Sequence, residues 1–408
     1  MDKSFFDKYR IGDYQRLNFD NFLSSVGFQY NVPSIHVAGT NGKGSTSNYL
    51  ANIYSANGYK VGLFTSPFLD EPNEMISING NKISDEDFIR VIKEYESDID
   101  KYQLSAFEIQ TFVALTYFQE QKCDLAIIEC GMGGLVDATN VFVPILSVIT
   151  SISLEHTDYL GYSISEIAAQ KAGIIKEEIP VLVGDLSEEA LTVIAKKVKE
   201  TKSAFYHIGH YVNKEFSKEG FSFDYGEVKC AHIASLADYS VNDACLALEA
   251  VYSLNNTFKY DVDKVREGLS KTFIPARLEL VNHNPEVYVD GGHNPEAIEE
   301  LCKSSIGNVV KGKPLHIIFA CFRDKNLGNM LSQLGAITDD LTITTFDHPR
   351  ARTEDEYFLF LGDYHFEQDA KVLIKNKMQE YPDDVILVTG SLAFAALVRR
   401  WFKNGEIK

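Results

Sequence analysis

Short apolar runs that end in glycine and pass straight into a helix-like pattern recur along this chain, and they leave few folds open. Residues 34–58, SIHVAGTNGKGSTSNYLANIYSANG, show it first: SIHVAG reads as a buried strand, and STSNYLANIYSANG as a helix ending at Gly58. KVGLFTS, CDLAIIECG, PILSVITSI and IPVLVGD read as further strands. Between and after them, EDFIRVIKEYESDI, SAFEIQTFVALTYFQEQ, SISEIAAQKAGIIK and EEALTVIAKKVKET read as helices. Such alternation favours an α/β fold built on a mostly parallel sheet covered on both faces. Polar residues gathering just past the strand ends mark where such sheets bind ligands.

After YHIGHY the pattern changes. NKEFSKEGFSFDYGEVKCAHIA alternates like short antiparallel strands, and SVNDACLALEAVYSLNN returns to helix. TFIPARLEL then precedes a second strand–helix cycle through EVYVDGGHNPEAIEELCKSSI, LHIIFACF, DLTITTFD and DVILVTGSLAFAALVRRWF. A chain of 408 residues exceeds what one core usually holds, so two domains are expected, 1–274 and 275–408.

Lys plus Arg number 39 against 58 Asp plus Glu, a net charge of −19. That balance argues against nucleic acid or an anionic membrane as partner. The six cysteines form no CxxC pair and read as reduced thiols of a cytoplasmic protein. The N-terminus, MDKSFFDKYRIGDYQR, lacks the apolar core of a signal segment, and no run reaches the roughly 18 apolar residues of a membrane span.

The turn AGTNGKGS departs from the usual P-loop spacing. Only Thr40 and Asn41 separate Gly39 from Gly42, and Gly44 stands where a hydroxyl usually follows the lysine. The chemistry survives. Gly39, Gly42 and Gly44 let backbone N–H groups approach phosphate, Lys43 can reach the β- and γ-phosphates, and Ser45 and Thr46 offer hydroxyls. ATP is therefore the expected ligand, against the plainer reading of a turn with a solvated lysine.

Two further clusters follow strand-like runs. IIECGMGGLVDATN carries Glu129 and Asp137, and ITSISLEHTDYLG carries Glu155, His156, Thr157 and Asp158. Glu129 suits Mg²⁺, which prefers oxygen donors and retained water. His156 could complete such a shell or face the surface, and Lys171 in AAQKAGI reads on composition as a helix lysine with a snorkelling stem. In the second half, Arg277 of PARLE is a candidate phosphate clamp, with His293 of DGGHNP as its partner. A helix-start turn before Pro295 accounts for Asp290 and Asn294 equally well.

The ordered set IHVAGTNGKGS, TSPFL, the GMGG–DATN turn, LEHTDYLG, QKAGI and DGGHNP resembles the folylpolyglutamate synthases and their dihydrofolate synthase relatives, within the Mur ligase superfamily. The resemblance implies an N-terminal P-loop NTPase-like domain and a smaller Rossmann-like C-terminal domain, with the active site in the cleft between them. It implies an ATP-dependent ligase joining L-glutamate to the γ-carboxyl of a reduced folate. Some relatives also join glutamate to dihydropteroate. Lys43 then matches the phosphate-binding lysine, Ser45 its hydroxyl partner, Ser66 and Glu129 a first Mg²⁺ site, and His156 a second. Lys171 matches a lysine often carbamylated in the superfamily. Asn242 resembles an adenine contact, Arg277 a phosphate contact, and Asp290 a nucleotide-positioning group. His293 resembles a histidine beside the transferred phosphate and the incoming glutamate, and Arg323 and Lys325 of CFRDK take the place of the glutamate pocket.

Three departures bear on substrate choice: Leu135 and Met75 stand where the family has arginine, and Gly292 where it has alanine. A Mur-type cell-wall ligase is a rival reading, but its members carry a further N-terminal domain ahead of the P-loop. A non-catalytic nucleotide-binding regulator is another, which the joint presence of Glu129, His156, Lys171 and His293 argues against. A single chain can complete the implied cleft, so a monomer is expected.

Overall fold

The apolar runs become parallel strands because both of their faces are buried. In the computed structural model, which describes residues 16–407 apart from Leu361 and Asp363, the first set is β1 Ser34–Ala38, β2 Val61–Phe64, β3 Ile76–Ile78, β4 Asn81–Lys82, β5 Leu125–Glu129, β6 Leu146–Ile149, β7 Val181–Val183 and β8 Phe205–His207. The N-terminal stretch read for a signal segment lies outside the described residues up to position 15. The strands form one sheet in the order β4-β3-β2-β5-β1-β6-β7-β8. From β2 to β8 all pairs are parallel, while β3 and β4 add antiparallel at one edge. β1, β5 and β6 lie side by side at the centre with every residue buried. Their C-terminal ends therefore open together, at Gly39, Cys130 and Thr150.

The alternating stretch expected to be antiparallel is so: β9 Val212–Ser217, β10 Gly220–Tyr225 and β11 Val228–Ile233 form a sheet in the order β11-β10-β9. The remaining strands are β12 Glu279–His283, β13 Glu286–Val289, β14 Leu315–Phe319, β15 Asp340–Thr344, β16 His365–Glu367 and β17 Val385–Thr389. They order as β12-β13-β17-β14-β15-β16, parallel except for the β12–β13 hairpin. Here the period of two is visible in the packing. Leu315, Ile317 and Phe319 of β14 join one core with Leu387, whereas Ile318 joins a second core with Ile386 and Val388. Both faces are thus covered, as a parallel sheet requires.

By backbone contacts the chain divides into two units. The first runs to Lys214 and adds Ser222–Ile233 and Asn242–Thr272; the second comprises Glu215–Phe221, Ala234–Val241 and Phe273–Lys408. Some elements depart from the sequence reading. EDFIRVIKEYESDI is two helices, Asp85–Glu94 and Glu96–Lys101, broken at Tyr95. The helix expected over SISEIAAQKAGIIK stops at Lys171 and tightens into a 3₁₀ turn, Ala172–Ile174. Among the described residues no helix is long and apolar enough to cross a membrane.

Candidate active site

In the first unit the chain leaves β1 through the glycine turn and enters the helix Lys43–Ala56. Helices Ala106–Glu120 and Ile164–Lys171 begin with complete serine–glutamate capping boxes. The helix at Lys43 begins instead at Gly42, in left-handed geometry (φ 82°) and with no side-chain cap. Its first N–H groups and the positive end of its dipole are thus directed at whatever occupies the turn, the arrangement that binds phosphate. The glycines are needed for close approach. A Cβ on Gly39 would fall 1.9 Å from Thr150 Oγ1, and one on Gly42 would fall 2.3 Å from Asp243 Oδ1.

The end of β6 fastens the turn. Thr40 N donates to Ser151 O at 2.9 Å, Asn41 N to Ser151 Oγ at 2.9 Å, and Thr150 Oγ1 to Asn41 O at 2.5 Å. Lys43 Nζ donates to Thr40 O at 3.0 Å, which holds the ammonium over the turn. Ser45 and Thr46 are buried beneath it. Asn242 is exposed on the helix Tyr239–Ser253, next to the Asp243 that approaches Gly42.

Glu129 ends β5 with 3% of its surface exposed. A carboxylate so buried requires donors or a cation. Ser66 N donates to its Oε2 at 3.0 Å, and that same oxygen lies 3.4 Å from where a Cβ on Gly44 would stand. Glu129, Ser66 and the glycine turn therefore meet. Together with the Ser45 hydroxyl they offer hard oxygen donors, a set that fits Mg²⁺. Among the described residues no three His, Cys, Asp or Glu side chains converge on one metal position. A cation here would accordingly rest on one carboxylate, hydroxyls, water and substrate oxygens.

Lys171 is 3% exposed, which excludes the snorkelling stem that composition favoured. Burial raises the pKa of the neighbouring Cys130 thiol, and Asp137 adds to it, while the charges of Lys43 and Lys171 oppose the rise. Both lysines thus act electrostatically on the end of β5. His156 opens the short helix Thr157–Leu160 in left-handed geometry (φ 51°), a conformation a non-glycine residue adopts only under constraint. Its Nε2 lies 3.8 Å from Glu155 Oε1.

Asp137 is an organiser of the glycine-rich turn. It is buried and accepts from Met132 N at 2.8 Å, Thr139 N at 3.0 Å and Thr139 Oγ1 at 2.5 Å. Since the Thr139 hydroxyl donates to Asp137, it accepts from His36 Nε2 at 2.8 Å. Burial, aided by the Lys176 charge, pulls the pKa of His36 down to about 3, so the ring is neutral. Of the two departures from the family's arginines, Met75 is a core residue at 3% exposure, whereas Leu135 is half exposed.

In the second unit the antiparallel register Glu279↔Val289 sets the start of β12 beside the end of β13. That brings Arg277 and DGGHNP together. Asp290 is 1% exposed and accepts from Tyr239 Oη at 2.7 Å, Leu278 N at 2.9 Å and Gly292 N at 2.8 Å. His293 Nδ1 donates to Gly291 O at 2.9 Å, which makes Nε2 the basic nitrogen of the neutral ring. Asn294 caps the helix Pro295–Glu300 through Ala297 N. At Gly292 a Cβ would lie 3.0 Å from Asp290 Oδ1, so the family's alanine needs only a small shift there.

Arg323 and Lys325 lie past the end of β14. Arg323 pairs with Glu356 at 3.0 Å and is half exposed; Lys325 is nearly buried, its Nζ 3.8 Å from Asp324 Oδ2. Sequence reasoning overlooked the arginines that build this loop. Arg352 donates to the carbonyls of Arg323 and Lys325, and Arg350 pairs with Asp324 while lying over the Phe322 ring at 4.4 Å. Two arginines within three residues, in HPRAR just after DLTITTFD, were the available signal.

Comparison with known proteins gives two family matches. Residues 37–251 match the Mur ligase middle domain, and 276–392 the Mur ligase glutamate ligase domain. The chain is 35% identical to the dihydrofolate synthase/folylpolyglutamate synthase of Bacillus subtilis, over 91% of each chain. It is 32% identical to the folylpolyglutamate synthase of Lacticaseibacillus casei, over 97% of this chain and 96% of that one. Among solved structures, an FPGS–AMPPCP–folate complex superposes with a TM-score of 0.87 at 29% identity, covering 97% of both chains. The Mycobacterium tuberculosis folylpolyglutamate synthase complexed with ADP gives 0.89 at 26% identity, covering 97% of this chain and 96% of that one.

Proposed function

This chain belongs to the folylpolyglutamate synthase/dihydrofolate synthase family of the Mur ligase superfamily, and from that premise we propose that it joins L-glutamate to the γ-carboxyl of a reduced folate with conversion of ATP to ADP and phosphate. The observation that carries the reading is the buried Glu129 carboxylate, held by Ser66 N against the uncapped glycine turn at Gly44. It sets a hard-oxygen site beside a phosphate cradle, which an ATP-dependent ligase needs and a plain αβ turn does not.

A carboxylate is a poor acyl donor, so it has to be activated. A folate carboxylate oxygen attacks the γ-phosphorus of ATP, the bond to the bridging oxygen breaks, and ADP leaves, giving an acyl phosphate. The α-amine of glutamate then attacks the acyl carbon, and phosphate leaves with the electron pair of the C–O bond. Lys43 and the N–H groups at the start of its helix take the phosphates, and Arg277 steadies the charge on the transferred phosphoryl oxygens. Mg²⁺ held by Glu129, Ser66 and Ser45 would supply further charge neutralisation there. His156 through a ring nitrogen and Lys171 as its carbamate would hold a second metal ion, and Asn242 would contact the adenine. His293 Nε2 is the basic nitrogen suited to take the amine's proton, with Arg323 and Lys325 toward the amino-acid carboxylates. Asp290, with three donors on its two oxygens, serves by holding the loop.

The name of the Bacillus subtilis relative carries both activities, which favours dihydropteroate as a second acceptor. The test is ADP release with tetrahydrofolate or dihydropteroate, each with and without L-glutamate, followed by product mass. A product heavier by one glutamyl residue is expected with tetrahydrofolate. ADP release indifferent to the pterin, with no mass gain on either, would defeat the proposal.

A further inference from the structure

We infer that Arg399 is a positioning residue for Arg277, acting through Glu279. The inference rests on the reading of Arg277 as a phosphate contact.

Arg277 sits between two residues in left-handed backbone geometry, Ala276 at φ 56° and Leu278 at φ 45°. Neither is a glycine, and such positions persist only where their surroundings over-determine them. Three hydrogen bonds do so. Leu278 N donates to Asp290 Oδ2 at 2.9 Å, Gly291 N to Ala276 O at 2.8 Å, and Ala276 N to Glu279 Oε2 at 2.8 Å. The guanidinium lies over the neighbouring loop, for a Cβ on Gly291 would come 3.1 Å from Arg277 Nη1.

The third bond depends on a distant residue. Glu279 is 12% exposed, and Arg399 Nε donates to its Oε1 at 2.8 Å and its Oε2 at 3.0 Å. Arg399 lies on the helix Leu392–Lys403, 120 positions further along the chain. One carboxylate oxygen is thus shared between the Arg399 cation and the Ala276 amide. Without Arg399, Glu279 becomes a half-buried anion lacking its nearest cation, and it gains by turning toward water. Ala276 N then loses its acceptor, the strained turn relaxes, and Arg277 swings from its place. Displacement of a phosphate-binding group by about 1 Å is enough to lower turnover by about 100-fold.

The test is a double-mutant cycle between Arg399→Met, which keeps an apolar stem, and Arg277→Ala. kcat and KM for ATP, folate and glutamate are measured together with thermal unfolding. Arg399→Met should lower kcat by about 10- to 100-fold in the native background, and by less than about twofold where Arg277 is already alanine. Arg399→Lys should recover part of the loss, since an ammonium can still face Glu279. Glu279→Gln, which keeps the side-chain volume, should reproduce the kcat loss and stands in if Arg399→Met does not fold. An equal fold-loss from Arg399→Met in both backgrounds would mean a general structural role and would overturn the inference alone. Unchanged kcat in Arg277→Ala would remove the phosphate reading of Arg277, and the clamp with it.

Discussion

Replacing Gly39 by alanine tests whether the phosphate turn depends on a contact that only a missing side chain allows. Gly39 has φ 157°, and the added Cβ would stand 1.9 Å from Thr150 Oγ1, 3.1 Å from Thr150 Cβ and 3.2 Å from Ser151 N. Two of those atoms cannot rotate away, so the Thr150 hydroxyl has to move. It then gives up its bond to Asn41 O. An L-residue in that region of φ costs on the order of 1–3 kcal/mol, and a lost hydrogen bond about 0.5–1.5 kcal/mol. If the turn absorbs the whole penalty, nucleotide affinity falls by roughly tenfold to a thousandfold. Calorimetric titration with a non-hydrolysable ATP analogue, beside thermal unfolding of the ligand-free protein, reads the two destinations of the strain separately. Adding Thr150→Ala removes the worst clash but leaves the φ penalty, so the double variant should bind better than the two single losses combined predict. Wild-type affinity and unchanged unfolding in Gly39→Ala would refute the steric argument outright.

Two other outcomes follow from buried groups. His36 is held neutral with its pKa pulled down to about 3, whereas the unfolded chain takes up that proton near pH 6.5. Between those values the unfolded state binds more protons, so stability is whole above pH 6.5 and falls by up to about 1.4 kcal/mol per unit as pH drops below it. Denaturant unfolding of His36→Gln should show a shallower acid slope than wild type; parallel curves would contradict the assignment. Lys171→Ala should lower kcat by about 10- to 100-fold while leaving a folded protein. Bicarbonate depletion of the wild type should mimic it reversibly, and turnover indifferent to bicarbonate would rule out the carbamate.

What the sequence disclosed was whatever local pattern controls. β1, β5 and β6 were legible because strands buried on both faces read as apolar runs, and the glycine-rich exits of β1 and β5 marked the candidate site. The edge hairpin of β3 and β4 does not show as strands in the sequence. Its strands span three and two residues, too short to show a period. Yet Asn79–Gly80 between them, with φ 46° and 78°, carries the strong signal for a tight hairpin turn. Composition alone misleads at Lys171 for a different reason: the small residues around it permit either a solvated stem or deep burial, and only the packed helix decides. Nothing local could tie Arg399 to Glu279, or His36 to Thr139, because those pairings arise from register and helix docking over more than a hundred residues.

The two glycine turns share a device that explains why each includes an aspartate. Asp137 gathers Met132 N, Thr139 N and the Thr139 hydroxyl; Asp290 gathers Leu278 N, Gly292 N and the Tyr239 hydroxyl. Glycines make these turns flexible, and a flexible turn presents its backbone groups imprecisely. A buried carboxylate corrects this, because charge-assisted bonds are stronger than neutral ones and several converge on a single group. The burial is not free: it raises the pKa of Asp137, and the hydrogen bonds from Met132, Thr139 and Gly131 work against that rise. An asparagine could accept at one oxygen only and would present N–H groups to the other donors. The carboxyl group inside each turn thus holds the backbone in place through several converging hydrogen bonds, whether or not a ligand is bound.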